Sequence, residues 1–156
     1  DMIDTMRACN GAGIAANQIG INARMFVVEV SADNPRYPFK PPIDLTVLIN
    51  PVISPISEHT FENYEGCLSV PGLRGVVARH LEVDVSGLDR VGAQVKFAVR
   101  GYSAGTFQHE FDHLDGVLFV HRVVDPATFC SWNSFKTYKE EAFSREVRAL
   151  VDQYGA

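Results

Sequence analysis

Apolar and polar residues alternate along two neighbouring stretches in the middle of the chain, and this pattern predicts a pair of half-buried strands. Leu81, Val83 and Val85 alternate with other residues, and the apolar residues of 93–100 do the same. The segment LDRVG at 88–92 has the composition of a hairpin turn and would join the two strands. The first of these strands is predicted to end at 86. Further strands are predicted at 24–30, 46–53 (broken by Pro51), 57–64 and 73–79.

Helices are predicted near the two ends of the chain and in its third quarter. Apolar residues share one face of a helix over 2–9. A second helix over about 103–115 would end at Gly116, and the tail from about 126 to 154 is predicted to be helical. Strands in the middle with helices at the ends predict the α+β class, and the length suits one domain.

Two segments are predicted to be loops. Residues 11–20 are rich in glycine and alanine, which is typical of a tight turn. Residues 31–44 contain four prolines and are predicted to form a surface loop.

Composition and charge narrow the classes of function. Hydrophobic residues make up 46% and charged residues 21% of the chain, enough apolar surface to fold without disorder. The net charge of −5 argues against nucleic acid, and the longest apolar runs are far shorter than a membrane span. Three widely spaced cysteines do not suggest a disulfide framework, so a reducing compartment is expected.

The segment QHEFDHLDG at 108–116 contains the pattern H-E-x-x-H. On a helix, a four-residue step places His109 and His113 on one face, one turn apart. Two neutral imidazoles in this arrangement can bind one transition metal. Glu110 is adjacent to the first histidine and can act as a general base on a water held at the metal. The motif therefore predicts a metal-dependent hydrolase.

A third metal ligand is needed, and the sequence leaves alternatives. The metzincin proteases are excluded because they require histidine three residues after Gly116, where Phe119 stands. A carboxylate of the C-terminal tail, as in thermolysin-like sites, is not excluded by spacing. Cys67, in YEGCLSVPG at 64–72, is preferred because a thiolate is a strong ligand for first-row divalent metals.

The glycine-rich segment GAGIAANQIG at 11–20 is not a dinucleotide-binding fingerprint. A helix precedes it, and Ala16 stands where the third glycine is needed. Gly11 and Gly13 would instead let the backbone approach a ligand closely. Gln18 offers a neutral amide donor, which suits an oxyanion beside a metal because the amide does not compete as a ligand.

These three segments, in this order, resemble the three signature blocks of the peptide deformylases, and the resemblance covers nearly the whole chain. It implies removal of the formyl group from the N-terminal formyl-methionine of new polypeptides, with release of formate. It also implies an α+β fold in which antiparallel strands pack around a central H-E-x-x-H helix, with a C-terminal helix. Residues 1–156 would form a single catalytic domain that lacks the family's N-terminal segment.

The resemblance implies a role for each matching residue. Glu110 would be the general base, while Gln18 and the backbone N–H of Leu68 would form the oxyanion hole. One divalent metal, Fe²⁺ natively with Zn²⁺ or Ni²⁺ as substitutes, is implied. Its ligands would be Cys67, His109 and His113.

The resemblance also places the substrate. The peptide would lie extended along a strand edge, with its backbone at Gly13. Ala12, Gly105 and Thr106 would lie at or near the pocket for the first side chain. Relatives often carry bulkier groups at Ala12 and Gly105 and tryptophan at Tyr102, so we expect a roomier or more polar pocket with a weaker preference for methionine.

The implied partners are N-formylated nascent peptides at the ribosome, with no direct nucleic-acid binding and no membrane association. The compartment would be the cytoplasm in a bacterium, and the mitochondrion or plastid in a eukaryote. Two alternatives stay open: an H-E-x-x-H peptidase with a downstream carboxylate ligand, and a non-catalytic deformylase-like binding protein. Deformylation needs Cys67 whereas the peptidase does not, and a binding protein would be expected to lose Glu110 or a ligand.

Overall fold

A computed structural model of the chain describes residues 1–155. In it, two antiparallel sheets flank the helix Gly101–Leu114. The helices are α1 (Met2–Ala8), α2 (Gly101–Leu114), α3 (Trp132–Tyr138) and α4 (Glu140–Tyr154). The strands are β1 (Gly13–Ala15), β2 (Met25–Val30), β3 (Ile43–Pro55), β4 (Thr60–Cys67), β5 (Val70–His80), β6 (Glu82–Leu88), β7 (Gln94–Arg100) and β8 (Cys130–Ser131). Short 3-10 turns lie at Ala16–Ile19, Phe119–His121 and Pro126–Thr128.

The first sheet has the strand order β1-β2-β3-β6-β7, and the second has the order β4-β5-β8. Neighbouring strands in both sheets are antiparallel. Helix α2 contacts strands of both sheets and also α4. The predicted α+β class, with antiparallel strands around the H-E-x-x-H helix and a C-terminal helix, is confirmed.

Helix α2 is buried on almost every side, since eleven of its fourteen residues are buried. Its first turns are rich in small residues, which allow close packing from several directions. The polar Gln108 is satisfied by the backbone of His80 at the end of β5: its Nε2 donates to the carbonyl oxygen at 2.8 Å and its Oε1 accepts from the N–H at 3.0 Å. This pair of bonds ties the middle of α2 to β5.

The loop predicted over residues 11–20 contains strand β1 and a 3-10 turn. Gly13 pairs with Val28, so the segment forms one edge of the first sheet. The prediction of a loop or tight turn was wrong for Gly13–Ala15, because their pairing depends on β2, which lies outside the segment.

Strand boundaries also differ from the predictions. Pro51 does not break β3, because it lies in a bulge between Ile49 and Val52, where the ladder needs no donor. Strand β4 begins and ends three residues later than predicted, so it carries Cys67 at its end.

The segment predicted as a surface loop, residues 31–44, is partly in the core. Tyr37 and Phe39 are buried in one aromatic cluster with Tyr102 of α2 and Phe143 of α4. The ring centroids of Phe39 and Phe143 are 5.3 Å apart. Proline-rich composition identified the irregular backbone but not the burial of the aromatic side chains between the prolines.

The tail was predicted to be helical throughout. It instead forms a 3-10 turn, the short strand β8, and the helices α3 and α4. Cys130 pairs with Arg74 of β5, which holds this segment extended. The side chain of Ser131 caps α3 by accepting from the N–H of Ser134 at 3.1 Å. Within residues 1–155, no helix combines the length and the apolar character that a membrane span requires.

Replacing Phe143 by alanine is expected to destabilise the fold by about 3–5 kcal/mol, because the ring is 3% exposed and its loss leaves a cavity. Tyr138→Ala is the matched control: this ring, at the end of α3, is 80% exposed, and its loss should change stability by less than about 0.5 kcal/mol. Urea unfolding measures both variants. Equal midpoints would show that α4 is not part of the core.

Candidate active site

The structure brings the three predicted metal ligands together. Cys67 comes from the end of β4, where a register shift after Glu65 and a two-residue turn lead into β5. His109 and His113 come from successive turns of α2. Cys67 Sγ lies 3.2 Å from His113 Nε2, and the ligand atoms of the three residues lie within 4.8 Å of one another.

The donors of this cluster suit a divalent first-row metal. Burial raises the pKa of the Cys67 thiol, but hydrogen bonds with His109 and His113 outweigh burial and lower this pKa to about 5. The favoured thiolate is the form that binds metal. Among residues 1–155, no carboxylate of the tail joins the cluster, so the thermolysin-like ligand set is not formed. One thiolate and two imidazoles leave a coordination position for water or substrate.

Glu65 holds His109 in position, a role that the sequence interpretation missed. The Nδ1 atom of His109 lies 2.7 Å from Glu65 Oε2. Because an ionised carboxylate can only accept, His109 donates from Nδ1, and its Nε2 is left free to bind a metal.

Glu65 is in turn held by Arg79 of β5. Arg79 donates to both carboxylate oxygens of Glu65, from Nε at 2.7 Å and from Nη2 at 2.9 Å. Its Nη1 donates to Asp112 of α2 at 2.7 Å, and Asp112 also accepts from Arg122. Burial raises the pKa of Glu65, but Arg79 outweighs burial and holds this pKa well below its ordinary value.

The sequence contained one signal for this network. Asn63, Glu65 and Cys67 alternate along β4 and all face inward, so three polar or reactive residues occupy the buried positions of one strand. Such a run at a period of two indicates a functional face, since buried polar groups need partners.

Glu110 is buried beside the cluster. Among the described residues, its Oε2 has no hydrogen-bond partner. Burial raises the pKa of Glu110, although His109 and His113 act in the opposite direction. Strand β1 packs directly against the side chain: a Cβ atom at Gly13 would lie 2.5 Å from Glu110 Oε1. Position 13 therefore requires glycine for Glu110 to keep this conformation.

Gln18 presents its amide N–H groups to the cluster. Its Oε1 accepts from the Ala15 N–H at 2.8 Å, which fixes the direction of the amide. Its Nε2 then lies 3.0 Å from Ser69 Oγ and 3.7 Å from Cys67 Sγ. Leu68 lies in the turn that follows Cys67 and, together with Gln18, lines a cleft.

The cleft opens beside Glu110 and Cys67 and has a cavity volume of about 50 Å³. The four residues predicted to meet the substrate all line it: Ala12, Gly13, Gly105 and Thr106. A Cβ atom at Gly105 would lie 3.1 Å from Phe61 and 3.2 Å from Asn63, so these side chains close the wall at that position. The cleft is therefore not enlarged at Gly105, and the amide of Asn63 makes this part of its wall polar. The sequence interpretation missed two cationic side chains in the lining, Lys40 and Arg74.

Glu65→Gln is expected to lower metal affinity about 10- to 100-fold. A neutral amide holds the His109 ring less firmly, and it leaves Arg79 without one of its two carboxylate partners. Glu62→Gln is the matched control, since Glu62 is on the same strand and exposed. Metal affinity is measured by competition with a chelator. Equal affinities in the two variants would contradict a role for Glu65 in orienting the ligand.

Comparisons with known proteins agree on one family. The polypeptide deformylase family model matches residues 1–128. Peptide deformylase 1 of Prochlorococcus marinus strain MIT 9313 is 48% identical over 129 residues, which are 83% of this chain and 67% of the relative. A class I type b peptide deformylase of Acinetobacter baumannii, solved with Met-Ala-Ser bound, is 43% identical with a TM-score of 0.74, over 78% of this chain and 76% of that one. A Synechococcus elongatus peptide deformylase in complex with actinonin is 32% identical with a TM-score of 0.71, over 99% and 69%.

Proposed function

The chain belongs to the polypeptide deformylase family, and we propose how the residues of its cleft divide the work of hydrolysis. It is an enzyme, a metal-dependent hydrolase that removes the formyl group from the N-terminal formyl-methionine of newly made polypeptides and releases formate. The observation that carries the division of roles is the cluster of Cys67, His109 and His113 next to the buried carboxylate of Glu110.

Cys67, His109 and His113 hold one divalent metal. The thiolate and the two imidazoles suit ferrous iron, which we take as the native metal, and they also accept zinc or nickel. When bound, the metal supplies a Lewis acid that polarises the formyl carbonyl and lowers the pKa of water.

Glu110 is the general base and then the general acid. It takes a proton from the attacking water and later gives it to the leaving amine nitrogen, so that formate and a free N-terminus result. Burial raises the pKa of Glu110, which makes its carboxylate a stronger base toward the attacking water.

Gln18 and the backbone N–H of Leu68 donate to the formyl oxygen as it becomes negative. The bond from Ala15 fixes the Gln18 amide before the substrate arrives, so little reorganisation is needed during the reaction. A formyl carbon bears only hydrogen, and a tight site therefore excludes larger acyl groups by their size.

The substrate peptide adds as a strand along the free edge of β1, where Gly13 meets its backbone. Ala12, Gly105 and Thr106 line the pocket for the first side chain. The relative from A. baumannii was solved with Met-Ala-Ser, the peptide that deformylation of formyl-Met-Ala-Ser leaves.

The polypeptides acted on are N-formylated nascent chains, met at the ribosome. The enzyme works where such chains are made, which is the cytoplasm of a bacterium and the mitochondrion or plastid of a eukaryote. Residues 1–156 form one catalytic domain.

Glu110→Gln is expected to keep the metal and to lower formate release from formyl-Met-Ala-Ser by about 10²-fold or more, because the amide cannot accept the proton. The assay uses protein purified without oxygen, with metal analysis of each sample. Glu146→Gln, an exposed position on α4, is the control and should keep full activity. Turnover near the wild-type rate in Glu110→Gln would assign the base elsewhere.

Cys67→Ser is expected to lose most of its metal on dialysis, because a neutral hydroxyl replaces an anionic thiolate. Cys9→Ser, at an exposed cysteine on the end of α1, should retain a stoichiometric amount. Elemental analysis after dialysis decides the matter. Stoichiometric metal in Cys67→Ser would support a peptidase-like ligand set instead.

A further inference from the structure

Thr106 of α2 carries a buried hydroxyl in the lining of the cleft. It stands four residues before Glu110, so the two side chains share one face of the helix and lie about 6 Å apart along its axis. Thr106 is 4% exposed, and its Oγ1 accepts from Lys40 Nζ at 2.9 Å. Among residues 1–155, this is the hydrogen bond that the hydroxyl makes, so its own hydrogen is free to be donated to a ligand.

The ammonium of Lys40 is a second donor beside this hydroxyl. It has three N–H groups, and the bond to Thr106 uses one of them. Nζ also lies 4.9 Å from the ring centroid of Tyr37 and 5.5 Å from that of Tyr102, which attract its charge without accepting a conventional hydrogen bond. Lys40 and Thr106 both line the cleft, so they form a pair of linked donors there.

The charge of Lys40 is already balanced from a distance. Burial lowers the pKa of Lys40 to about 8, whereas the carboxylates of Glu65 and Glu110 act in the opposite direction. Within residues 1–155, neither carboxylate has an oxygen within 4.0 Å of Nζ. The amine is therefore mainly protonated at neutral pH, and both carboxylates would repel a further anion. The ligand that suits this pair of donors is a neutral group with a strong acceptor.

A methionine side chain offers such an acceptor only in its oxidised form. The thioether sulfur is a weak acceptor. Methionine sulfoxide carries one oxygen on that sulfur, and it is neutral, polar and chiral. The sulfoxide oxygen has lone pairs for both donors, and it lies at the same point of the side chain as the sulfur that it modifies.

We propose that the pocket for the first side chain accepts formyl-methionine sulfoxide as well as formyl-methionine, with the sulfoxide oxygen bound by Lys40 Nζ and the Thr106 hydroxyl. This inference rests on the proposed function, which places the first side chain against Thr106. The reaction is unchanged: the formyl amide is hydrolysed, and the sulfoxide passes unaltered into the product. A purely apolar pocket would hinder this substrate, because the sulfoxide would be buried without partners.

The test uses the metal-loaded enzyme and three formylated tripeptides that end in Ala-Ser. They begin with methionine, with methionine sulfoxide as each separate epimer, and with norleucine, which has the length of methionine and no acceptor. We expect kcat/KM for the better sulfoxide epimer to lie within about tenfold of that for methionine. The ratio of the sulfoxide to the norleucine peptide isolates the hydrogen bonds from the general fit of the side chain.

Two variants remove the donors one at a time. Lys40→Met removes the ammonium and should lower the sulfoxide-to-norleucine ratio by about tenfold or more, because a charged donor makes the stronger bond. Thr106→Val removes the hydroxyl at nearly constant shape and should lower the same ratio by a smaller factor. Lys96→Met, at an exposed lysine of β7, is the matched control and should keep the wild-type ratio.

An enzyme that releases formate from the methionine peptide but processes both sulfoxide epimers more than about tenfold more slowly would overturn the inference and leave the deformylase function intact. A ratio in Lys40→Met equal to that in Lys96→Met would also overturn it. Where a variant does not fold, the wild-type comparison decides alone. If no peptide releases formate, the proposed function fails, and calorimetry of the unformylated peptides then decides. Tighter binding of the sulfoxide than of the norleucine peptide supports the polar pocket, and equal or weaker binding overturns it.

Discussion

The metal site depends on a buried guanidinium, Arg79, which is held between the carboxylates of Glu65 and Asp112. These three charges come from β5, β4 and α2, and each is less than 6% exposed. A buried charge that loses its partner destabilises a fold by several kcal/mol, of the order of 3–5. The pairing therefore fixes the hairpin β4–β5 against α2, and this arrangement brings Cys67 of the hairpin to the histidines of the helix.

The same network selects the tautomer of a ligand. Arg79 keeps Glu65 ionised, and an ionised Glu65 makes His109 donate from Nδ1. The network is also balanced in charge, because Glu65 and Asp112 are matched by Arg79 and Arg122.

The sequence predicted the chemistry of the site better than its surroundings. The spacing of His109 and His113 is fixed by helix geometry, so a local pattern was enough to place both on one face. Glu65, Arg79 and Lys40 were missed because their roles depend on contacts between segments far apart in the chain. Strands β6 and β7 were identified from alternation, whereas β1 and the broken tail depend on partners that no local pattern contains.

The residues assigned to the reaction and the cationic residues of the cleft come from different parts of the chain. The groups assigned to metal binding and proton transfer lie in three short segments with fixed internal spacing. Lys40 comes from the segment 31–42 and Arg74 from β5, whereas Ala12, Gly105 and Thr106, proposed to surround the first side chain, lie in the segment 11–20 and in α2. Lys40 reaches the cleft because Tyr37 and Phe39, on its own segment, are buried against Tyr102 and Phe143. The aromatic cluster thus does more than stabilise the fold, because it also holds the cationic Lys40 in the lining of the cleft.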